Sequence, residues 1–242
     1  CFALSWLEAV EKQNLTRSWL PTWSAGFSLG LLALTRPWTA VGVALPFGVH
    51  GLVRLWRGPV SIRKRILSIG IVAAAIASLH FLWQYALTGD ALTNPYTLWW
   101  RYDRIGFGLQ HGPREMGHTL KQSWLNTRHS LTLVGHDLFG WGQLTWLLPI
   151  LGLWKLRHRG RIWLLVSVFP SLALVYIAYW VSGPRYFYEG LYSLTLLSAA
   201  GIAWLAGWFA PSNEKGMIKP RLRQGLALGL IGLGLILSAV FY

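Results

Sequence analysis

The sequence predicts an all-α integral membrane protein of about seven membrane helices, the first two a short hairpin, with one large extracytoplasmic loop at 88–142 that carries an amphipathic surface helix. Three observations predict it. Of 242 residues 54% are hydrophobic and only 12% charged, with 16 Trp, which is far more apolar than an ordinary soluble domain. Cutting the chain at every Asp, Glu, Lys and Arg leaves the long uncharged runs 18–35, 37–53, 66–89, 138–154, 162–184, 190–213 and 224–242, together more than half the chain. The cations are also distributed unevenly between the turns that join those runs. This composition excludes a soluble enzyme, a disordered tail and a disulfide-stapled module, and the single Cys1 excludes an internal disulfide and a thiolate metal cluster.

Taken in order, the opening Cys-Phe-Ala-Leu-Ser-Trp-Leu has neither a basic start nor a small-residue cleavage site. It reads as the end of an earlier membrane helix, so the sequence is expected to be part of a longer chain. Runs 18–35 and 37–53 meet at Thr35-Arg36-Pro37, the tip of the expected hairpin. Small residues at helical spacing, Gly26 with Gly30 and Gly225 with Gly229, predict close helix packing. Pro46, Pro149 and Pro170 lie within apolar runs, where they kink or end helices. Trp83, Trp99, Trp100, Trp141 and Trp180 fall near expected outer boundaries, and Trp56, Trp154, Trp163 and Trp208 near inner ones, as interfacial anchors do. No repeat is evident, and 1–242 reads as one membrane domain.

If the hairpin and each later run are placed in sequence, the stretch before 18 and the turns 54–65, 155–161 and 214–223 share one side. They hold 15 Lys and Arg against Glu8, Glu11 and Glu214, a net charge of +12. Arg36, the stretch 90–137 and the turn 185–189 share the other side, with seven cations against five carboxylates, a net of +2. Short basic loops stay cytoplasmic, so the overall +14 reflects topology rather than a nucleic-acid surface, and the long loop faces outward. The cytoplasmic turns carry no nucleotide-binding glycine motif.

Within the loop, 88–117 is rich in Gly, Pro, Asn and aromatics and reads as turns. From an N-cap at Thr119 to about Val134, Leu120, Trp124, Leu125, Leu131 and Val134 are expected on one helix face, and Lys121, Gln122, Arg128 and His129 elsewhere. Arg36 is the one cation within some 36 residues, a phosphate clamp or a snorkelling marker of the turn. Arg185, with Tyr186 and Tyr188, opens a late helix where a phosphate or headgroup fits. Arg101-Tyr102-Asp103-Arg104 sets a carboxylate between guanidiniums and aromatic faces, groups that also recognise sugars. His111, Glu115 and His118 have metal-like spacing, but Gly112, Pro113 and Gly117 break the helix a metal site would need, and His118 is expected to cap or to bond substrate. Neither a metal nor another cofactor is called for.

These residues resemble a known family. Ser28-Leu-Gly-Leu-Leu-Ala-Leu-Thr-Arg-Pro37, the Leu87-Thr88-Gly89-Asp90 exit, Tyr102–Gly108, Gly117-His118-Thr119, Leu138-Phe139-Gly140-Trp141 and Arg185-Tyr186 are similar to segments of GT-C superfamily membrane glycosyltransferases of the protein O-mannosyltransferase and lipid A aminoarabinose transferase type. The resemblance spans nearly the whole chain through short motifs. It implies a plasma-membrane enzyme that moves a sugar from a polyprenyl-phosphate donor to an acceptor on the outer face. It places Arg36 and Arg185 at the family's basic positions, as expected donor-phosphate or headgroup contacts; Tyr186, Tyr188, Asp103, Arg104 and His118, read from the residues themselves, are the further expected substrate contacts. The family's catalytic Asp lies in a loop before the hairpin, so it is expected before Cys1. Where the family has prolines after Arg-Tyr, this chain has Glu189-Gly190. Two other classes compete: a transporter or flippase for a lipid-linked sugar, and a non-catalytic membrane scaffold. A transporter wants ionisable groups at mid-membrane, and the runs offer His80 with scattered Ser and Thr.

Overall fold

The computed structural model describes residues 1–11, 18–207 and 220–241. Lys12, Arg17, Trp208, Glu214, Lys215 and Lys219, all used in the topology argument, lie outside the described residues. Among those described, every regular element is helical and no strand occurs, in agreement with the all-α expectation; one isolated bridge pairs Gly108 with His118. The elements are α1 (Phe2–Trp6), α2 (Leu20–Thr35), α3 (Pro37–Arg57), α4 (Val60–Ala77), α5 (Leu79–Thr88), α6 (Tyr96–Trp99), α7 (Leu120–Phe139), α8 (Leu147–Leu156), α9 (Gly160–Val166), α10 (Val168–Tyr176), α11 (Tyr188–Leu205) and α12 (Pro220–Phe241). They fall into two compact units, Cys1–Trp124 with Pro170–Val181 and Leu125–Phe169 with Ser182–Tyr242.

Two helices among the described residues are long and apolar enough to cross a membrane: α3, of 21 residues, and the 29-residue Val60–Thr88 formed by α4 and α5. Only 17% of the apolar window of the latter is buried within the protein. A helix of that composition facing outward suits lipid rather than a soluble core, where its apolar side chains would be covered. Two of the other runs do not become single long helices. Run 162–184 is helical only to Tyr176, in the Gly160–Tyr176 segment, and run 138–154 begins with a short tight turn at Gly142–Trp146 before α8. An absence of charge is not a helix signal by itself: the first leaves helix after Tyr176, before Gly183 and Pro184 are reached, and Gly140 and Gly142, both with positive φ, delay the second. Conversely α4 starts six residues before the uncharged run and takes in Arg63, Lys64 and Arg65.

In the first unit, Arg36 breaks the chain between α2 and α3 with φ −143° and ψ 74°, and Pro37 opens α3. This is where the Thr-Arg-Pro sequence predicts the interruption. Gly26 and Gly30 let α2 approach α4: a Cβ at Gly26 would lie 2.7 Å from Val72 Cβ, and one at Gly30 2.7 Å from Ile76 Cβ. The expected small-residue packing is therefore present there. At Gly225 and Gly229 no described atom lies within 4 Å of an added Cβ, so that pair packs on nothing described. α10 docks on α3 through Ser171 Oγ, which donates to Gly42 O at 2.7 Å, and Trp38 Nε1, which donates to Val175 O at 2.9 Å.

In the second unit, α8 and α11 touch backbone to backbone. A Cβ at Gly152 would collide with the carbonyl of Leu197, and one at Gly201 would lie 2.5 Å from Leu148 O. Leu148, Trp204 and Leu205 form the core beside this crossing, with Trp154 edge-on to Trp204 at 5.3 Å.

Candidate functional site

The long loop begins as α5 ends at Gly89, whose φ of +74° stops the helix. Asp90 closes the turn, accepting from Leu92 N at 3.0 Å and Thr93 Oγ1 at 2.7 Å, bonds that hold its carboxyl below the usual carboxylate range.

Asp103 is the centre of the next structure. Tyr179 Oη donates to its Oδ1 at 2.9 Å and Trp180 Nε1 to the same oxygen at 3.0 Å. Tyr102 stacks edge-on to Trp180 at 5.4 Å, and Gly106 N donates to Ala178 O at 2.8 Å. The loop is thereby fastened along 177–180, with Arg101 and Arg104 exposed on either side of the carboxylate. Asp103→Ala should remove two hydrogen bonds to a charged acceptor, each contributing about 1.5–3 kcal/mol. Local opening then becomes easier, and trypsin should cut after Arg101 and Arg104 at least about tenfold faster than in the wild type. An unchanged cutting rate would show that the Tyr179 and Trp180 contacts do not hold the loop.

His118 is a second fastening point, 1% exposed. Its Nε2 donates to Ile177 O at 2.9 Å and lies 2.9 Å from Ser123 Oγ, whose hydroxyl donates to Ile177 O at 2.7 Å. Phe107 stacks on the imidazole at 5.2 Å and 7°. His118 thus holds a backbone carbonyl inside the first unit. His111 turns its Nδ1 to Leu109 O at 3.0 Å, and no group of three His, Cys, Asp or Glu among the described residues could hold a metal ion.

α7 begins as the sequence predicts: Gln122 N donates to Thr119 Oγ1 at 3.2 Å, the N-cap bond. Its buried side is polar as well as apolar. Ser123, Ser130 and Val134, at helical spacing, form the buried stripe, while Leu120, Trp124 and Leu125 are exposed. The two serines seat the helix by hydrogen bonds that an apolar count does not see, with Ser130 Oγ accepting from Gly183 N at 2.9 Å.

In the second unit, Arg185 lies in the tight turn Pro184–Tyr186 ahead of α11 and donates to Tyr186 Oη at 2.7 Å. Tyr188 Oη donates to Asp137 Oδ2 of α7 at 3.1 Å. Arg185, Tyr186, Tyr188 and Asp137 therefore gather at one turn. Arg36, Asp103, Arg104 and His118 belong to the first unit, with Asp103 and His118 anchored on the same 177–180 segment and Arg36, half-buried, at the α2–α3 break.

One cluster escaped sequence reasoning. His50, inside run 37–53, accepts from Trp6 Nε1 at its Nδ1 (3.2 Å) and places Nε2 3.1 Å from Glu11 Oε1. Arg54 Nε lies 3.5 Å from the same carboxylate oxygen. His50 and Arg54 are four residues apart on α3, a spacing that puts both on one face, but nothing in the sequence joins that face to Glu11 some forty residues earlier.

No family model matches the chain, and neither a curated protein nor a solved structure matches it.

Proposed function

We propose that the chain is part of a GT-C-like glycosyltransferase that uses a polyprenyl-phosphate-linked sugar, spans the plasma membrane several times and presents its 88–142 loop on the outer face. The observation that carries this reading is the construction of the loop. Directly after a helix of membrane-crossing length, Asp103 is fastened by Tyr179 and Trp180 while Arg101 and Arg104 stay exposed beside aromatic faces. Such a fastened surface, with cations and aromatic rings at the bilayer boundary, suits a lipid-borne phosphate joined to a sugar. Arg36 and Arg185, each taken within its own unit, are read as contacts to a phosphate or lipid headgroup, where a guanidinium would stabilise charge on a phosphate leaving the anomeric carbon.

Membranes carrying the full-length protein should transfer sugar from a polyprenyl-phosphate donor to an outer-face acceptor. The transporter reading draws on one observation, the His50–Glu11–Arg54 cluster on a membrane-length helix. Movement of the intact lipid-linked sugar between leaflets without transfer would replace the first reading by the second.

A further inference from the structure

The turn between α3 and α4 joins the two helices of membrane-crossing length, and it is built from Trp56, Arg57, Gly58 and Pro59, followed by Arg63 and Lys64. Arg63 fixes its shape: Nε donates to Gly58 O at 2.9 Å and a terminal guanidinium nitrogen to Trp56 O at 3.2 Å, closing carbonyls at the end of α3. Arg57 stands 5.9 Å from the Trp56 ring centre. Arg57, Arg63 and Lys64 are exposed, and no carboxylate among the described residues lies within ion-pair distance of them; the nearby Glu11 is engaged by His50 and Arg54.

Below the cations the surface becomes apolar on both helices. Along α3, Val49, Leu52 and Trp56 are exposed at intervals of three and four, a single stripe ending at Trp56, which is 79% exposed. Along α4, Lys64, Leu67 and Ile71 are exposed at the same intervals, so an ammonium stands at the end of an aliphatic stripe. A nucleic acid or acidic peptide would match the cations but leave these stripes bare. A phospholipid matches both, with its phosphate among the cations, its carbonyl region at Trp56 and its chains along the stripes.

We infer that the α3–α4 turn is a binding site for the phosphate headgroup of an anionic phospholipid in the leaflet that these helices enter. The site stands apart from the sugar-transfer reading and would survive its failure.

The test uses the full chain with Cys1→Ser and Ser61→Cys, bimane-labelled at the exposed position 61 and reconstituted in vesicles. Brominated phosphatidylglycerol should quench the label at a mole fraction lower than brominated phosphatidylcholine does, by about fivefold for each cation that contributes. Arg57→Gln with Lys64→Gln should abolish that preference while leaving quenching by phosphatidylcholine unchanged, which shows the variant inserted. Equal quenching by the two lipids in the parent protein would overturn the inference without any variant. Displacement of phosphatidylglycerol by millimolar inorganic phosphate would assign the site to a free anion instead, and also overturn it.

Discussion

If the chain transfers sugar as proposed, Arg185→Ala and Arg36→Ala should each lower transfer from a polyprenyl-phosphate donor by about tenfold or more. The magnitude follows from the chemistry. A guanidinium on a phosphate that gains charge as it leaves contributes on the order of 1.5–3 kcal/mol, and 1.4 kcal/mol is a factor of ten in rate. Charge on the donor is present before reaction and grows during it, so the loss should fall on kcat as well as on donor affinity. The local settings of the two positions differ. Arg36 sits at a break with extended backbone between α2 and α3, whereas Arg185 lies in a tight turn against Tyr186. Arg185→Lys should therefore restore only part of the activity, because an ammonium keeps the charge but loses the planar fork. Transfer at the wild-type rate in both alanine variants would remove them from the donor site.

Gly152→Val has the largest expected effect on folding. The Cβ would strike the Leu197 carbonyl, which belongs to the α11 backbone and cannot rotate away as a side chain can, so α8 and α11 must separate. Separation also uncovers Leu148 and Trp204 and opens the crossing at Gly201. Overpacking of this kind costs about 1–3 kcal/mol even where a core can adjust, against total stabilities of about 5–15 kcal/mol. The thermal midpoint in detergent, followed by helix circular dichroism, should fall by at least several degrees. Gly225→Val, placed where no described atom is near, should leave it unchanged. Equal midpoints for the two variants would refute the close α8–α11 crossing.

What could be read in the sequence was local. The Thr-Arg-Pro interruption, the Gly26 and Gly30 packing and the Thr119 cap each depend on a few neighbouring residues, and the structure has all three. The helix limits did not follow from charge, because Arg63, Lys64 and Arg65 extend α4 while the fully uncharged run 162–184 leaves helix after Tyr176. What seats α7 was not legible, because hydroxyls hold it: Ser123 on Ile177 O and Ser130 on Gly183 N. The partners of Asp103 lie more than seventy residues away at Tyr179 and Trp180, and those of His50 lie at Trp6 and Glu11; no periodicity encodes such pairings.

The account rests on the 88–142 loop and the basic turns facing opposite sides of the membrane. Gln110 has a φ of +65° and is a poor site for a probe, whereas Met116 is 75% exposed in the same loop. With Cys1→Ser removing the native thiol, Met116→Cys should react with a membrane-impermeant maleimide on intact cells, and Ser61→Cys only after permeabilisation. Labelling of Ser61→Cys from outside, with Met116→Cys protected until the cells are opened, would contradict the orientation and with it the outer-face sugar site.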